Sequence, residues 1–179
     1  SAYARVSPHA RRTPLLSSPF LDDIAGRRVW VKAECLQHTG SFKFRGGWAA
    51  ISALSDAQRA RGVITFSSGN HAQGIANDAA KHGVSAIIIM PSDAPAVKIA
   101  NTRAMGAEVV MYDRASEDRD EVEKRVNPDG ARILIRPYDD DQVIAGQGSV
   151  GIELAEQAKD MGVKSASVLV CAGGGGLAS

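Results

Sequence analysis

The sequence predicts an α/β fold in which parallel strands are covered by helices on both faces. Short runs rich in valine and isoleucine alternate with longer segments of helical spacing along the 179 residues, and glycine follows three of the helical segments. The apolar runs are nearly continuous rather than alternating, which is typical of strands buried on both faces. Strands and helices in regular alternation form βαβ units, and such units assemble into a parallel sheet.

Short apolar runs bounded by turn residues are predicted as the strands. They are Val29 to Ala33, Val63 to Phe66, Ala86 to Met90, Glu108 to Tyr112, Ile133 to Ile135 and Ser167 to Cys171. Because open parallel sheets bind ligands at the carboxyl ends of their strands, the segments that follow Ala33, Phe66 and Cys171 are the first places to search for a site.

Longer segments between the strands are predicted as helices. Gly83, Gly106 and Gly162 each follow one of these segments at the position of a C-cap. Another segment has acidic residues early and basic residues late, as the helix dipole favours. The predicted helices are Phe44 to Leu54, Ala72 to His82, Ala94 to Met105, Asp118 to Val126 and Gln142 to Met161.

The composition excludes several classes of function. The net charge is +1, from 21 Lys+Arg against 20 Asp+Glu, so no charge excess favours nucleic acid or an anionic membrane. No apolar run reaches the length of a membrane-spanning helix, and the first residues lack the order of a secretory signal. Cys35 and Cys171 have no metal-ligand spacing, and no metal site is predicted from residues 1–179. We expect a cytoplasmic protein with no nucleic-acid or membrane partner.

The last residues predict that part of the fold lies outside this sequence. Gly173 to Ser179 follow a predicted buried strand, at the point where the next helix should begin. A strand without its covering helix is an unusual end for a domain. We therefore expect a fragment that lacks the C-terminal part of the fold.

The run VCAGGGGLAS has the features of a phosphate-binding loop. Its glycines, Gly173, Gly174, Gly175 and Gly176, allow backbone N–H groups to approach a ligand, and a helix starting after them would add positive dipole. The run has neither the dinucleotide GxGxxG fingerprint nor the Gly-Lys-Ser/Thr of a triphosphate loop. A flexible turn is the alternative, but the position after an apolar strand favours a phosphate site.

The run TFSSGNHAQGIA also follows a predicted strand and precedes a predicted helix. Small hydroxyls, a glycine and an amide at a helix N-terminus suit an anion such as a carboxylate. Simple helix capping is the alternative, although capping requires only one such residue. The residues concerned are Ser67, Ser68, Gly69, Asn70 and His71.

The run TGSFKFRGG places Lys43 between two phenylalanines at the start of a predicted helix. A lysine amine attacks carbonyl groups when desolvation lowers its pKa, and flanking aromatic rings are one way to desolvate it. A surface lysine that extends past Phe42 and Phe44 is the favoured interpretation of this run alone. A carbonyl-seeking amine, a carboxylate site and a phosphate site together match pyridoxal 5′-phosphate acting on an amino acid.

In their order, the segments TGSFKFRG, SSGNHAQGIA and CAGGGGLAS resemble the serine/threonine dehydratase and serine racemase family of pyridoxal-phosphate enzymes. The linking segments RRTPLL, MPSDAPAVKIANTRAMGAEVVMYD and DDDQVIAGQGSVGIELAEQ agree, so the resemblance covers nearly the whole chain. It implies the tryptophan-synthase-β-like fold (fold type II) with two lobes. Residues 1–57 and 140–179 would belong to the large cofactor-binding domain, and residues 58–139 would form a small mobile domain.

The resemblance also implies roles for individual residues. Lys43 would form the imine bond with the cofactor aldehyde and carry the Cα proton, Phe42 would pack beside the pyridine ring, and Asn70 would bind the phenolic oxygen. Ser68 matches the position of the acid/base of serine racemases. The substrate carboxylate would be held by Ser67, Ser68, Gly69, Asn70 and His71, and the phosphate by Gly173, Gly174, Gly175, Gly176 and Leu177.

The implied activity is β-elimination of hydroxy-amino acids. L-threonine or L-serine would give 2-oxobutyrate or pyruvate plus ammonia, as in a threonine or serine dehydratase, a lyase of amino-acid metabolism. The resemblance further implies a homodimer and a possible divalent cation (Mg, Ca or Mn) bound beyond residue 179.

Several alternatives remain open at this point. The protein could be a serine racemase, or a dehydratase of 3-hydroxyaspartate or phenylserine. A β-replacement enzyme such as cysteine or threonine synthase usually has an acid after the lysine, in a KDR context, whereas this chain has Phe44. An inactive fragment, a module that only binds a phosphate or an amino acid, and a plain nucleotide-binding domain complete the set.

Overall fold

The computed structural model describes all 179 residues as six strands and nine helices. The strands are β1 (Leu15–Ser17), β2 (Trp30–Lys32), β3 (Val63–Phe66), β4 (Ala86–Pro91), β5 (Glu108–Tyr112) and β6 (Ile133–Leu134). The helices are α1 (Ala2–Val6), α2 (Pro19–Ala25), α3 (Lys43–Ser52), α4 (Asp56–Arg61), α5 (Asn70–His82), α6 (Ala96–Ala104), α7 (Arg119–Val126), α8 (Asp141–Gln147) and α9 (Ser149–Asp160). Two short 3-10 turns lie between β2 and α3.

A four-stranded parallel sheet in the order β5-β4-β3-β6 forms the centre of residues 63–134. Side chains alternate between its two faces, as they must in a strand. On one face Ile64 and Ile89 pack with Val122 of α7, and on the other Val63 and Ile88 pack with the apolar side of α5. The predicted parallel sheet, covered on both faces, is confirmed for these strands.

Helix α3 lies between α5 and α8, and glycines allow the three helices to approach closely. A Cβ atom at Gly74 of α5 would lie 3.1 Å from the carbonyl oxygen of Lys43. A Cβ atom at Gly46 of α3 would lie 2.9 Å from the Cγ1 atom of Val143 on α8. Real Cβ atoms rarely tolerate such distances, so the glycines fix how α3, and therefore Lys43, sits in the fold.

The predicted strand at Val29 to Ala33 is present but is not part of the parallel sheet. Its core, β2, pairs antiparallel with β1, with Ser17 opposite Trp30 and Leu15 opposite Lys32. An apolar pattern shows that a segment is a strand but carries no information about its partner or direction.

The predicted strand at Ser167 to Cys171 is wrong. Residues 163–172 form no ladder with another strand, and Leu169 is 97% exposed. A strand requires a neighbour for its N–H and C=O groups, and no strand among residues 1–179 pairs with this segment.

The predicted helix at Gln142 to Met161 is two helices, α8 and α9, which meet at Gly148. The Ser149 hydroxyl donates to the carbonyl oxygen of Gly146 at 2.6 Å and receives a hydrogen bond from Arg45. Serine hydroxyls that bond to the backbone compete with the helical ladder, which accounts for the break. The other four predicted helices are confirmed to within two residues at each end. No helix in the structure combines the length and the apolar character needed to cross a membrane.

Candidate active site

Lys43 lies in the first turn of α3 with its side chain half-buried. Its Nζ atom donates to the carbonyl oxygen of Pro137 at 2.7 Å and lies 5.3 Å from the centre of the Phe42 ring. Burial lowers the pKa of the Lys43 amine, because desolvation disfavours the charged form. A larger fraction of the amine is therefore neutral and nucleophilic at a given pH than in an exposed lysine.

The two phenylalanines that flank Lys43 have different surroundings. Phe44 is fully buried in a cluster with Val6 and Trp48, whereas Phe42 is only half-buried beside the amine. Phe44 is thus a core residue, and Phe42 is the aromatic side chain that contributes to the surroundings of the amine.

The turn after β3 presents free backbone N–H groups at the start of α5. No protein group accepts from the N–H of Asn70, His71 or Ala72, and the first bond of the helix runs from Gln73 N to Gly69 O at 3.3 Å. A helix N-terminus with free donors binds anions, because the N–H groups and the helix dipole both favour negative charge. The expected carboxylate site is therefore possible at the backbone of this turn.

The His71 side chain points into the core, away from the turn. It is 2% exposed, and its Nε2 atom lies 3.1 Å from Thr65 Oγ1 and 3.4 Å from the carbonyl oxygen of Ile135. Burial, with a smaller effect of the Lys43 charge, lowers the pKa of His71 to about 3. The imidazole is therefore neutral, and only the backbone N–H of His71 is available to a carboxylate.

Asn70 has a partner that no sequence pattern indicated. The Lys98 ammonium, on α6, donates to Asn70 Oδ1 at 3.0 Å and lies 3.2 Å from where a Cβ atom of Gly69 would be. Because an ammonium group only donates, the contact assigns the oxygen of the amide to Lys98 and leaves the Nδ2 hydrogens for another acceptor. A single lysine in a helical segment carries no sequence signal of such a contact.

The glycine run folds back onto Tyr138 instead of following a strand. A Cβ atom at Gly174 would overlap the Tyr138 ring, and one at Gly176 would lie 3.5 Å from Tyr138 Cβ. Gly176 is buried and Leu177 is half-buried, while Gly173 is exposed. The predicted strand before the run is absent, and Gly174 is the glycine of the run that lies too close to Tyr138 for a larger residue.

The segment Ile135 to Tyr138, after β6, touches all three predicted motifs. The carbonyl oxygen of Ile135 faces His71, that of Pro137 receives the Lys43 ammonium, and Tyr138 packs on the glycine run. No sequence pattern indicated this role, because two of the contacts are made by backbone carbonyls. We refer to residues 135–138 as the linking segment.

A buried ion cluster holds the first turn of α3 on its other side. Arg45 is 0% exposed and makes two hydrogen bonds of 2.8 Å to Glu34, and bonds of 2.8 and 2.9 Å to Glu153. Lys32 donates to Glu153 at 2.6 Å. Burial alone would lower the pKa of Arg45, but the hydrogen bonds that it donates to Glu34 and Glu153 raise the pKa overall. The two positive and two negative side chains balance, so the cluster fixes α3 without a net buried charge.

A cleft of about 400 Å³ borders the linking segment. Its charged side chains include both signs. The positive side chains are Arg119, Lys124 and Arg136, and the negative ones are Asp120, Glu123 and Asp139. No group of three or more His, Cys, Asp or Glu side chains in residues 1–179 is placed to hold a metal ion.

The linking segment joins an amine with a lowered pKa, the N-terminus of a helix and a glycine run. These features suit an enzyme whose cofactor carries both a carbonyl group and a phosphate. Residues 6–179 match the family described as "Pyridoxal-phosphate dependent enzyme". The chain belongs to this family.

Known relatives confirm the fold and the family branch. The chain is 44% identical, over 98% of its length, to the L-threo-3-hydroxyaspartate ammonia-lyase of Saccharomyces cerevisiae, and it covers 52% of that protein. It is 44% identical, over 100% of its length, to the serine racemase of Schizosaccharomyces pombe, of which it covers 54%. The crystal structure of a T.th. threonine deaminase superposes with a TM-score of 0.88 at 48% identity, covering 98% of this chain and 56% of that one. The chain thus spans about half the length of these relatives.

Proposed function

We propose that the protein acts as a pyridoxal-phosphate-dependent ammonia-lyase on hydroxy-amino acids, with L-threonine and L-serine as the first substrates to test. The products would be 2-oxobutyrate or pyruvate and ammonia. The observation that carries this proposal is the meeting of Lys43, the start of α5 and the glycine run at the linking segment. The relatives named as ammonia-lyases and threonine deaminase support the same reaction class.

The residues present fit pyridoxal 5′-phosphate. Lys43 offers an amine with a lowered pKa to the aldehyde, Asn70 offers free Nδ2 hydrogens to the phenolic oxygen, and the Phe42 ring lies beside the amine. Gly173, Gly174, Gly175, Gly176 and Leu177 would hold the phosphate, because glycines place no side chain between their backbone N–H groups and a ligand. When bound, the cofactor supplies an electron sink that acidifies the Cα–H bond of an amino acid.

The substrate carboxylate would bind at the start of α5. The N–H groups of Asn70 and His71 are free there, and the small residues Ser67, Ser68 and Gly69 leave room for a ligand beside them. A carboxylate so held would place the substrate amine and Cα toward Lys43, which would then take the Cα proton. The Pro137 carbonyl, which holds the Lys43 ammonium in this structure, keeps the amine on that side of the site.

Racemisation is a second candidate function. The side chain of Ser68 is exposed and makes no hydrogen bond within the protein, so its hydroxyl is available to exchange a proton with a substrate. Relatives named serine racemase support this possibility. Formation of D-serine from L-serine, with its loss in Ser68→Ala and retention of L-threonine elimination, is the expected result if both reactions occur.

An acidic substrate such as 3-hydroxyaspartate is another candidate. Arg119 and Arg136 line the cleft beside the linking segment, and a guanidinium group can pair with a second carboxylate. Asp120, Glu123 and Asp139 line the same cleft, so the choice between neutral and acidic substrates requires direct comparison of kcat/KM. Relatives named L-threo-3-hydroxyaspartate ammonia-lyase make the comparison worthwhile.

The proposal includes a mobile lobe and a dimer. The four-stranded sheet with α6 and α7 lies within residues 58–139, the range proposed as a small domain that closes over the substrate, whereas α5 of this range shares one core with α3 and α8. Residues 1–57 and 140–179 would contribute to the larger domain. The homodimer and the divalent cation stay predictions from the family resemblance, and the cytoplasmic location stays a prediction from the composition.

Absorbance and product analysis test this function together. The purified protein with added pyridoxal phosphate should gain visible absorbance that Lys43→Ala abolishes. Assays of L-threonine, L-serine and L-threo-3-hydroxyaspartate should then yield ammonia and a 2-oxo acid from at least one substrate. A protein that stays colourless with added cofactor contradicts the proposal.

A further inference from the structure

Two buried glutamines of the structure have opposite hydrogen-bonding states. Gln37 is 2% exposed; its Oε1 accepts from the backbone N–H of Arg11 at 2.9 Å, and its Nε2 donates to the Arg11 carbonyl at 2.8 Å. Gln147, at the end of α8, is 0% exposed, and neither its Oε1 nor its Nε2 has a partner. A buried polar group without a partner is costly, so the position of Gln147 requires an explanation.

The Gln147 amide lies between the lysine helix and the glycine run. Its Nε2 is 2.9 Å from where a Cβ atom of Gly46 would be, and Gly46 is in the same helix as Lys43. Its Oε1 is 3.6 Å from where a Cβ atom of Gly176 would be. Tyr138 packs against the same glycines. The amide therefore faces the backbone of the run to which the proposed function assigns the phosphate.

We infer that Gln147 is a positioning residue for the phosphate site. Its amide forms hydrogen bonds with the backbone of Gly173 to Gly176 when that run closes around a phosphate. This inference rests on the proposed function, since it requires the glycine run to bind the cofactor. The chemistry matches, because an amide both donates and accepts, and a run of glycines leaves N–H and C=O groups open to it.

This role predicts effects of opposite sign in the free and the loaded protein. Without cofactor, the unpartnered amide destabilises the fold, so an apolar side chain of similar size at position 147 is neutral or stabilising. With cofactor, the same apolar side chain removes the bonds that hold the glycine run. If Gln147 only fills space, the apolar substitution would change the stability of the free protein and its affinity for the cofactor in the same direction.

The experiment compares Gln147→Met with Gln37→Met, the matched control, in thermal unfolding without cofactor and in titrations with pyridoxal phosphate. We expect Gln147→Met to leave the apo Tm unchanged or raised by about 2–4 °C, while Gln37→Met lowers it by at least that much. Gln147→Met should weaken pyridoxal-phosphate binding about tenfold, equivalent to about 1.4 kcal/mol. Binding of pyridoxal, which lacks the phosphate, should change less than about twofold.

Three outcomes overturn the inference. If Gln147→Met lowered the Tm without cofactor as much as Gln37→Met does, the Gln147 amide would already have a structural role in the free protein. Unchanged pyridoxal-phosphate affinity in Gln147→Met, while the wild-type protein binds the cofactor, would contradict the role of Gln147 alone. Absence of binding by the wild-type protein would contradict the proposed function itself, and the inference with it.

Discussion

Two apolar segments of the chain that were predicted as buried strands lie in very different surroundings. β3 is buried at every residue and pairs with β4 on one side and β6 on the other. Residues 167–171 pair with no strand and expose most of their apolar surface, with Leu169 97% exposed. The turn that carries the proposed carboxylate site follows the first segment, and the glycine run follows the second.

The two ends of the proposed site are therefore held in different ways. The lysine and carboxylate end rests on buried strands, on glycine contacts between helices and on the Arg45 cluster. The glycine run rests on Tyr138 and faces the unpartnered amide of Gln147. Substitutions of the buried residues that support the first end should therefore lower the stability of the fold, whereas substitutions at the second end should affect ligand binding more than stability.

The largest effect is expected from Arg45→Met. The change leaves Glu34 and Glu153 buried with fewer partners, and breaking a buried ion pair in this way typically costs about 3–5 kcal/mol of unfolding free energy. Urea unfolding measures it. Arg12→Met is the control, because Arg12 pairs with Glu156 on the surface and should change little. Equal stability of the two variants would show that the cluster does not hold α3.

The next largest effect is expected from Ile88→Ala, and Leu169→Ala is its counterpart at the other end of the site. The two variants compare how much unfolding free energy each end contributes. Ile88 is fully buried in the main core, so its truncation should cost about 2–5 kcal/mol. Leu169 is exposed, so its truncation should stay within about 0.5 kcal/mol of the wild-type value. A large loss from Leu169→Ala in urea unfolding would mean that residues 167–171 are packed in solution.

The burial of His71 should make the stability of the fold depend on pH. Its pKa is lowered to about 3 in the folded protein, while the unfolded chain titrates near the ordinary value of 6.5. Below pH 6.5 the unfolded state binds a proton that the folded state does not, so stability falls as the pH falls from about 6.5 towards 3. Between pH 7 and 5 the loss from this group should be about 2 kcal/mol.

His71→Gln is the control for this pH effect, because the glutamine amide extends about as far as the Nε2 atom that contacts Thr65 but does not titrate. The difference in unfolding free energy between wild-type protein and His71→Gln should therefore shrink as the pH falls. A difference that is constant between pH 7 and 5 would contradict the assignment of a neutral, buried His71.

The smallest effect is expected from Lys98→Met. Loss of the ammonium leaves the Asn70 amide free to rotate, and a single hydrogen bond contributes about 0.5–1.5 kcal/mol, so cofactor affinity should fall about two- to tenfold. Lys81→Met is the matched control, since the Lys81 ammonium lies over the Phe44 ring and does not contact the turn. Equal affinities in the two variants would show that Lys98 does not orient Asn70.

The parts of the fold that were predictable are those that depend on local pattern. The apolar runs at β3 and β5 predict both ends of each strand correctly. Gly83 ends α5 in the expected left-handed conformation, with a φ of 66°. Strand direction, as for β2, and pairing, as for residues 167–171, depend on distant residues that a local pattern does not contain.

The sequence contains the motifs of the proposed site but does not show how they are joined. The chemistry of their own residues suggests the turn at Ser67 and the glycine run as anion sites, whereas Lys43 becomes a candidate only in combination with them. The linking segment acts through the carbonyl groups of Ile135 and Pro137, and every residue carries a carbonyl. The direction of the His71 side chain and the unpartnered Gln147 amide likewise depend on packing, so only the structure shows them.

Lys43 is the residue proposed to bind the cofactor aldehyde. Incubation with pyridoxal phosphate, reduction with borohydride and peptide mapping by mass spectrometry test it most directly. We predict a stable pyridoxyl-phosphate adduct on the peptide that contains Lys43, and none on the same peptide of Lys43→Ala. An adduct confined to other lysines, or no adduct at all, would contradict the account.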